Sequence, residues 1–131
     1  MGLKHDCTQL FRLIKNKNWL KIENLLRKGF NINSQINYVK KMTLLHHAAV
    51  QGKRAFIINL IDNGADINLQ DMNGDTPLHL LIWYLNHENI LQNNTVMIKY
   101  FIEKGANIDI KNKEELTVRQ YLVNNSINIS I

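Results

Sequence analysis

Three histidines, His46, His47 and His79, have the most obvious chemical capacity in this chain. An imidazole can ligate a metal, relay a proton, or hold two hydrogen bonds at once. Metal ligation would need partners at fixed spacing. Neither His-Glu-x-x-His nor Cys-x-x-Cys occurs, and His5 and His87 fall in a terminal and a loop position. The single cysteine, Cys7, would be a nucleophile only beside a base in an electropositive pocket, and no such setting is legible around it. No glycine-rich phosphate loop and no nucleophile elbow is present. The chain therefore reads as a non-enzyme, with no catalytic residue, no metal, no cofactor and no small-molecule substrate.

The histidines must instead be explained by the elements that carry them. The chain has 131 residues, 45% hydrophobic and 21% charged, which suits a single soluble domain, 1–131, with a modest core. One cysteine allows no internal disulfide, and no signal peptide is recognisable, so a reducing, cytoplasmic setting is expected. No apolar run approaches the roughly 18 residues of a membrane span. Gly2 begins a myristoylation-like start, but Asp6 stands where Ser or Thr is wanted. The net charge of +5 comes from clusters at Lys15/Lys17/Lys21, Arg27/Lys28, Lys40/Lys41 and Lys111/Lys113. Apolar or acidic neighbours dilute them, so they read as a solvated basic surface and not as a nucleic-acid footprint.

The chain repeats itself. "LLRKGFNIN", "LIDNGADIN" and "FIEKGANID" share an ending, with glycines at 29, 64 and 105. "TLLHHAA" and "TPLHLLI" share an opening, with a weaker third at "TVRQYLV". Thr43 and Thr76 precede apolar runs and suit helix N-caps, and Pro77 sits just inside a helix start. Leu45, Ala48 and Ala49 fall at helical spacing. Phe56, Ile57, Leu60 and Ile61 make one broad apolar face of a second helix. Gly64 follows its last turn, where a left-handed cap is wanted. The segment 65–75 then runs extended into a turn at Met72-Asn73-Gly74-Asp75.

Helix, turn, helix and projecting turn at a basic period of 33 resembles the ankyrin repeat, and "NGADIN" with "DMNGDTPLH" is a specific match. The resemblance implies an all-α solenoid of stacked helix pairs with projecting β-turn fingers. Repeat units are expected at about 5–37, 38–70 and 71–111, followed by a cap at 112–125 and a tail at 126–131. The first unit keeps its second helix, with Trp19, Ile22, Leu25 and Leu26 inward, but lacks the Thr-x-Leu-His opening. In the family, the histidine of that opening bonds to the neighbouring repeat's backbone, which implies a structural role for His46 and His79. His47 is left either solvated or groove-facing.

Partner binding is what the resemblance implies for function, through the fingers and first helices. The candidate anchors are Tyr38, Val39, Met42, Met72, Trp83 and Tyr84, with Lys40, Gln51, Asn73, Asp75 and Lys113 around them. The partner is expected to be a protein, and the chain itself a monomer. Nineteen Asn and 17 Ile point to AT-rich codons. With the family, this suggests a viral or intracellular-bacterial protein directed at a host. A narrower version is a mimic of the inhibitors of NF-κB-type transcription factors. Readings of other classes are a basic nucleic-acid binder and a self-assembling structural subunit.

Two departures from the repeat stand out. The connection "QINYVKKM" is two residues longer than the pattern, with Lys41 where a turn glycine is usual and Tyr38, Val39 and Met42 expected near its tip. The stretch after "TPLH" continues as Leu81, Ile82, Trp83, Tyr84 and Leu85 and carries eight residues beyond the period. A lengthened helix and an Asn-rich loop, Asn86 to Asn94, are expected there. Trp83 either faces the groove or packs beneath that loop. In the tail, Ile127, Ile129 and Ile131 alternate with polar residues. Three fates are open to them: packing back on the cap, which lacks a second helix and ranks first, pairing with a second molecule, or ordering only when a partner arrives.

Overall fold

The computed structural model describes residues 9–10, 12–37 and 39–129. His5, Cys7, Tyr38 and Ile131 lie outside them. After helical turns at 12–15, six helices follow in order. They are α1 (Trp19–Arg27), α2 (Leu44–Val50), α3 (Arg54–Asp62), α4 (Pro77–His87), α5 (Thr95–Glu103) and α6 (Val118–Asn124). No strand occurs among the described residues, and the one isolated antiparallel bridge there pairs Asn37 with Met42. No helix described is long and apolar enough to cross a membrane.

Short helices of seven residues are marginal alone. Here they are stabilised by caps and burial. Thr43, Thr76 and Thr117 each accept a hydrogen bond from the backbone N–H three residues on, and the side chains of His46, His79 and Gln120 accept in return from the threonine N–H to close the box. Helix α2 packs against α3 and α4, and α4 also packs against α5 and α6. The inner layer is thus α2–α4–α6, with α1, α3 and α5 outside. The two layers bury Leu45, Ala48 and Ala49 with Leu78, Leu81, Ile82 and Leu85, and Ile57 and Leu60 with Ile98 and Phe101. Outer helices also touch directly. The Trp19 and Phe56 rings lie 4.5 Å apart, and the Tyr100 hydroxyl donates to Asp62 at 2.9 Å.

The left-handed positions recur in register. Gly29, Gly64 and Gly105 take φ near +100° after α1, α3 and α5, as their C-cap role requires. Two residues before each capping threonine, Lys41, Gly74 and Glu115 take φ of 52°, 75° and 64°. Only Gly74 is glycine there, and a Cβ on it would lie 2.9 Å from the Lys113 backbone nitrogen. Glu115 carries a side chain in a conformation that disfavours one. Glu115→Gly should therefore stabilise the protein by about 0.5–1 kcal/mol, net of the extra unfolded-state freedom of glycine. Its exposed pair with Lys111, at 3.6 Å, is worth little. Calorimetry should show a rise of roughly 2–5 °C in Tm. A fall would mean that the left-handed backbone at 115 is not strained.

The inserted eight residues split into two fours. Helix α4 runs one turn longer than α2, so the left-handed residue that ends it is Asn89, thirteen after Thr76, where Gly52 is nine after Thr43. The remaining four precede α5 and include a 3-10 turn, Leu91–Asn93. The expected loop is therefore shorter than Asn86 to Asn94, because Asn86 and His87 are helical. It is also not a passive surface feature. Leu91 is buried in the core, and Gln92 Nε2 donates to the Asn125 carbonyl at 2.8 Å.

The tail follows the same rule. The Ile127 N–H donates to the Leu122 carbonyl at 2.8 Å, as Lys53 does to Ala48 and Ile90 to Leu85. Where a second helix would begin, Ile127 and Ile129 instead turn back and are buried.

Candidate functional site: the concave groove

Each finger is tied by one side chain. Asn37 Oδ1 accepts from the Val39 and Lys40 N–H groups, Asp71 Oδ1 from Asn73 and Asp75, and Asn112 Oδ1 from Glu114 and Leu116. The first finger is longer by one residue on each side of Asn37, which accounts for the two extra positions. The fingers are also joined to one another. Met72 N–H donates to the Lys40 carbonyl at 2.8 Å, and Lys113 N–H to the Asn73 carbonyl at 2.9 Å. The Asp66 N–H also donates to Asn33 Oδ1, and the Asn107 N–H to Asn68 Oδ1, tying successive units.

The histidines complete this frame. The Thr43 N–H donates to His46 Nδ1 at 3.2 Å, so the ring proton sits on Nε2 and is donated to the Asp75 carbonyl at 2.9 Å. His79 repeats the arrangement: the Thr76 N–H donates to its Nδ1 at 3.1 Å, and its Nε2 donates to the Leu116 carbonyl at 3.1 Å. One imidazole thus caps its own helix and grips the next finger. Gln120, in the last described unit, makes the cap alone. Burial pushes the His46 imidazole below its ordinary value, opposed by its bond to Asp75.

Between the fingers and the inner helices lies a groove of about 530 Å³. Its walls follow the repeat register. His47, Leu80 and Tyr121, each four residues after a capping threonine, line it, as do Val50 and Trp83, each seven after. His47 is groove-facing and buried, not solvated, and its pKa is lowered to about 4 by burial first, then by the nearby His46 and Lys40. Asp75 is pushed above the ordinary carboxylate range, mainly by burial and against its hydrogen bond from Asn112. Among the described residues, no three His, Cys, Asp or Glu side chains converge to hold a metal.

Of the candidate contact residues, Lys40, Met42, Gln51, Asn73, Asp75 and Trp83 line the groove. Val39, Met72 and Lys113 are exposed on the fingers. Met42 departs from expectation. It is buried and bridged to Asn37 at the base of the first finger, not near its tip. Trp83 is 55% exposed on the groove wall, its indole stacked on the His87 ring at 5.1 Å with 4° between planes. It does not pack beneath the insertion. Tyr84 is half-buried and covers Gly52, where an added Cβ would lie 2.2 Å from the phenol ring. Tyr38 lies outside the described residues. Sequence reasoning passed over Ile14, Lys15, Val50, Leu80, Glu114 and Tyr121, which also line the groove. For Val50, Leu80 and Tyr121 the signal was there, in their equal distance from the threonines.

The chain matches the family described as ankyrin repeats, in three copies, over residues 10–112. It is an ankyrin-repeat protein. Ankyrin repeats mediate protein–protein interaction, and the fold is typically a non-catalytic module. The protein is 37% identical over 86 residues to a putative ankyrin repeat protein of Rickettsia felis, covering 63% of this chain and 36% of that one. It is 31% identical over 100 residues to a putative E3 ubiquitin-protein ligase protein of Plasmodium falciparum, covering 74% of this chain and 1% of that one. A putative ankyrin repeat protein of fowlpox virus is 32% identical over 68 residues, 52% of this chain and 12% of the viral one. The ankyrin-repeat chain thus spans little more than a third of these relatives at most.

Proposed function

We propose that this ankyrin-repeat protein is a non-catalytic adaptor that holds a partner protein in its concave groove, with Trp83 as the principal anchor. The observation that carries this reading is the exposed indole. A large apolar ring left open on a groove wall, and fixed there by its stack on His87, is pre-organised for contact. Tryptophan is also among the residues in which binding energy concentrates. Lys40, Asn73, Asp75 and Gln51 surround it as polar rim, and Val39, Met72 and Lys113 extend the contact along the fingers. The likeness to a rickettsial and a fowlpox virus protein supports a host-directed role for the interaction.

The test is affinity for a purified partner obtained by capture from host lysate. Trp83→Ala should weaken binding about 30-fold, the equivalent of roughly 2 kcal/mol, with little change in Tm. Val123→Ala trims a more exposed apolar side chain outside the groove and should change nothing. Equal binding by the wild type and Trp83→Ala would refute the groove reading.

A further inference from the structure

We propose that the N-terminal mouth of the groove, formed by Arg12, Lys15, Lys40 and Lys41, docks an acidic segment of the partner protein. The inference rests on the groove reading and adds the chemistry and direction of its occupant.

In a solenoid, position in sequence becomes position along the stack. Residues 1–61 carry eleven Lys and Arg against two Asp and Glu, whereas residues 62–131 carry five against nine. The modest overall charge conceals this division. Within the acidic half, the cations Lys104, Lys111 and Arg119 pair with Asp62, Glu115 and Asp109. In the basic half, Glu23 is the one carboxylate among the described residues, and it accepts a bond from Asn59 on the outer layer.

The division runs through the groove. Lys15 and Lys40 line one end, with Lys41 exposed beside Lys40 and Arg12 one helical turn before Lys15. Asp71 and Asp75 on the middle finger and Glu114 on the last line the rest. Val50 and Trp83 supply apolar wall between. A run of carboxylates at the basic mouth, leading into apolar side chains over Trp83, is complementary along its length. A nucleic acid is not, because its phosphates would continue onto Asp75 and Glu114. The same asymmetry steers an acidic partner to this end before contact.

The probe is a fluorescein-labelled synthetic peptide with a run of Asp and Glu leading into Leu and Phe, read by anisotropy. A control carries Asn and Gln in place of the acids, and a short DNA duplex is tested in parallel. The acidic peptide should bind, more weakly as salt rises from about 50 to 200 mM. Lys15→Glu/Lys40→Glu should lower its affinity about tenfold or more, and Lys15→Gln/Lys40→Gln by a smaller factor, while Lys99→Glu on α5 leaves it unchanged. The glutamine pair keeps the test valid if the reversed charges impair folding. No binding, equal binding of the neutral control, tighter binding of the duplex, or indifference to both double variants would each overturn the proposal. Loss with Trp83→Ala but not with the lysine variants would overturn it and leave the groove reading intact. Loss with the lysine variants alone would uphold the acidic dock and remove Trp83 as the anchor.

Discussion

Leu60→Ala is expected to lower the melting temperature by roughly 10 °C or more, from a loss of about 2–5 kcal/mol. Leu60 lies on α3, in the central unit, and is 1% exposed. Its side chain belongs to the core shared with the helices before and after it. The magnitude is large against a total stability of about 5–15 kcal/mol. In a stack where each unit touches only its neighbours, no other contact can bridge a weakened centre. Ile58, two positions earlier and on the exposed side of the same helix, provides the comparison. Ile58→Ala should cost well under half as much. Thermal unfolding followed by circular dichroism would decide, and a shift of only a degree or two for Leu60→Ala would show that it is not core.

Acid should destabilise the protein strongly between pH 6.5 and 4. The folded-state pKa of His47 is lowered from 6.5 to about 4, so the folded protein holds a neutral imidazole that the unfolded chain would protonate. The unfolded state therefore binds more protons in this window, and stability falls as pH falls. The contribution is fully present above the unfolded pKa of 6.5 and lost as pH drops toward 4, about 3 kcal/mol over the whole window. His46 acts in the same direction. Its Nδ1 accepts from the Thr43 N–H, so a proton there would set two donors against each other. Asp75 has the opposite sign, since its raised pKa means the folded state holds its proton more tightly, and it offsets part of the loss at the acid end. His47→Leu places at 47 the residue found in the same register at 80. It should flatten the profile while preserving the fold. Urea midpoints at pH 7.5 and 4.5 would measure this, and parallel pH profiles for wild type and His47→Leu would refute it.

What was legible in the sequence was whatever a single residue type enforces. Threonine before an apolar run means a cap, glycine after one means a left-handed turn, and His46 and His79 stand where the family places a two-handed imidazole. Hidden was what depends on neighbours distant in sequence. Lys41 and Glu115 adopt the backbone of Gly74 without being glycine, because the finger bonds over-determine them. Met42 looked like a tip residue because the added length of the first finger was readable but its distribution around Asn37 was not. Tyr84 followed Trp83 in sequence, yet a helix sends adjacent residues about 100° apart. One therefore faces the groove and the other the bare backbone of Gly52. Leu91 sat among asparagines and glutamine, a setting that gave no sign of burial.

The split insertion has a geometric consequence. Four added residues carry a helix round by about 400°, within about 40° of a whole turn. The chain consequently leaves α4 at Asn89 in nearly the direction in which it leaves α2 at Gly52, one pitch higher. Phase is conserved while height changes. Lengthening by two residues instead would have swung the exit by about 200°, to the groove side, and left α5 no route to the outer layer. Growth of this solenoid at its upper rim is thus quantised in helical turns, and Trp83 and His87, one turn apart, are the pair of side chains that such a step stands one above the other.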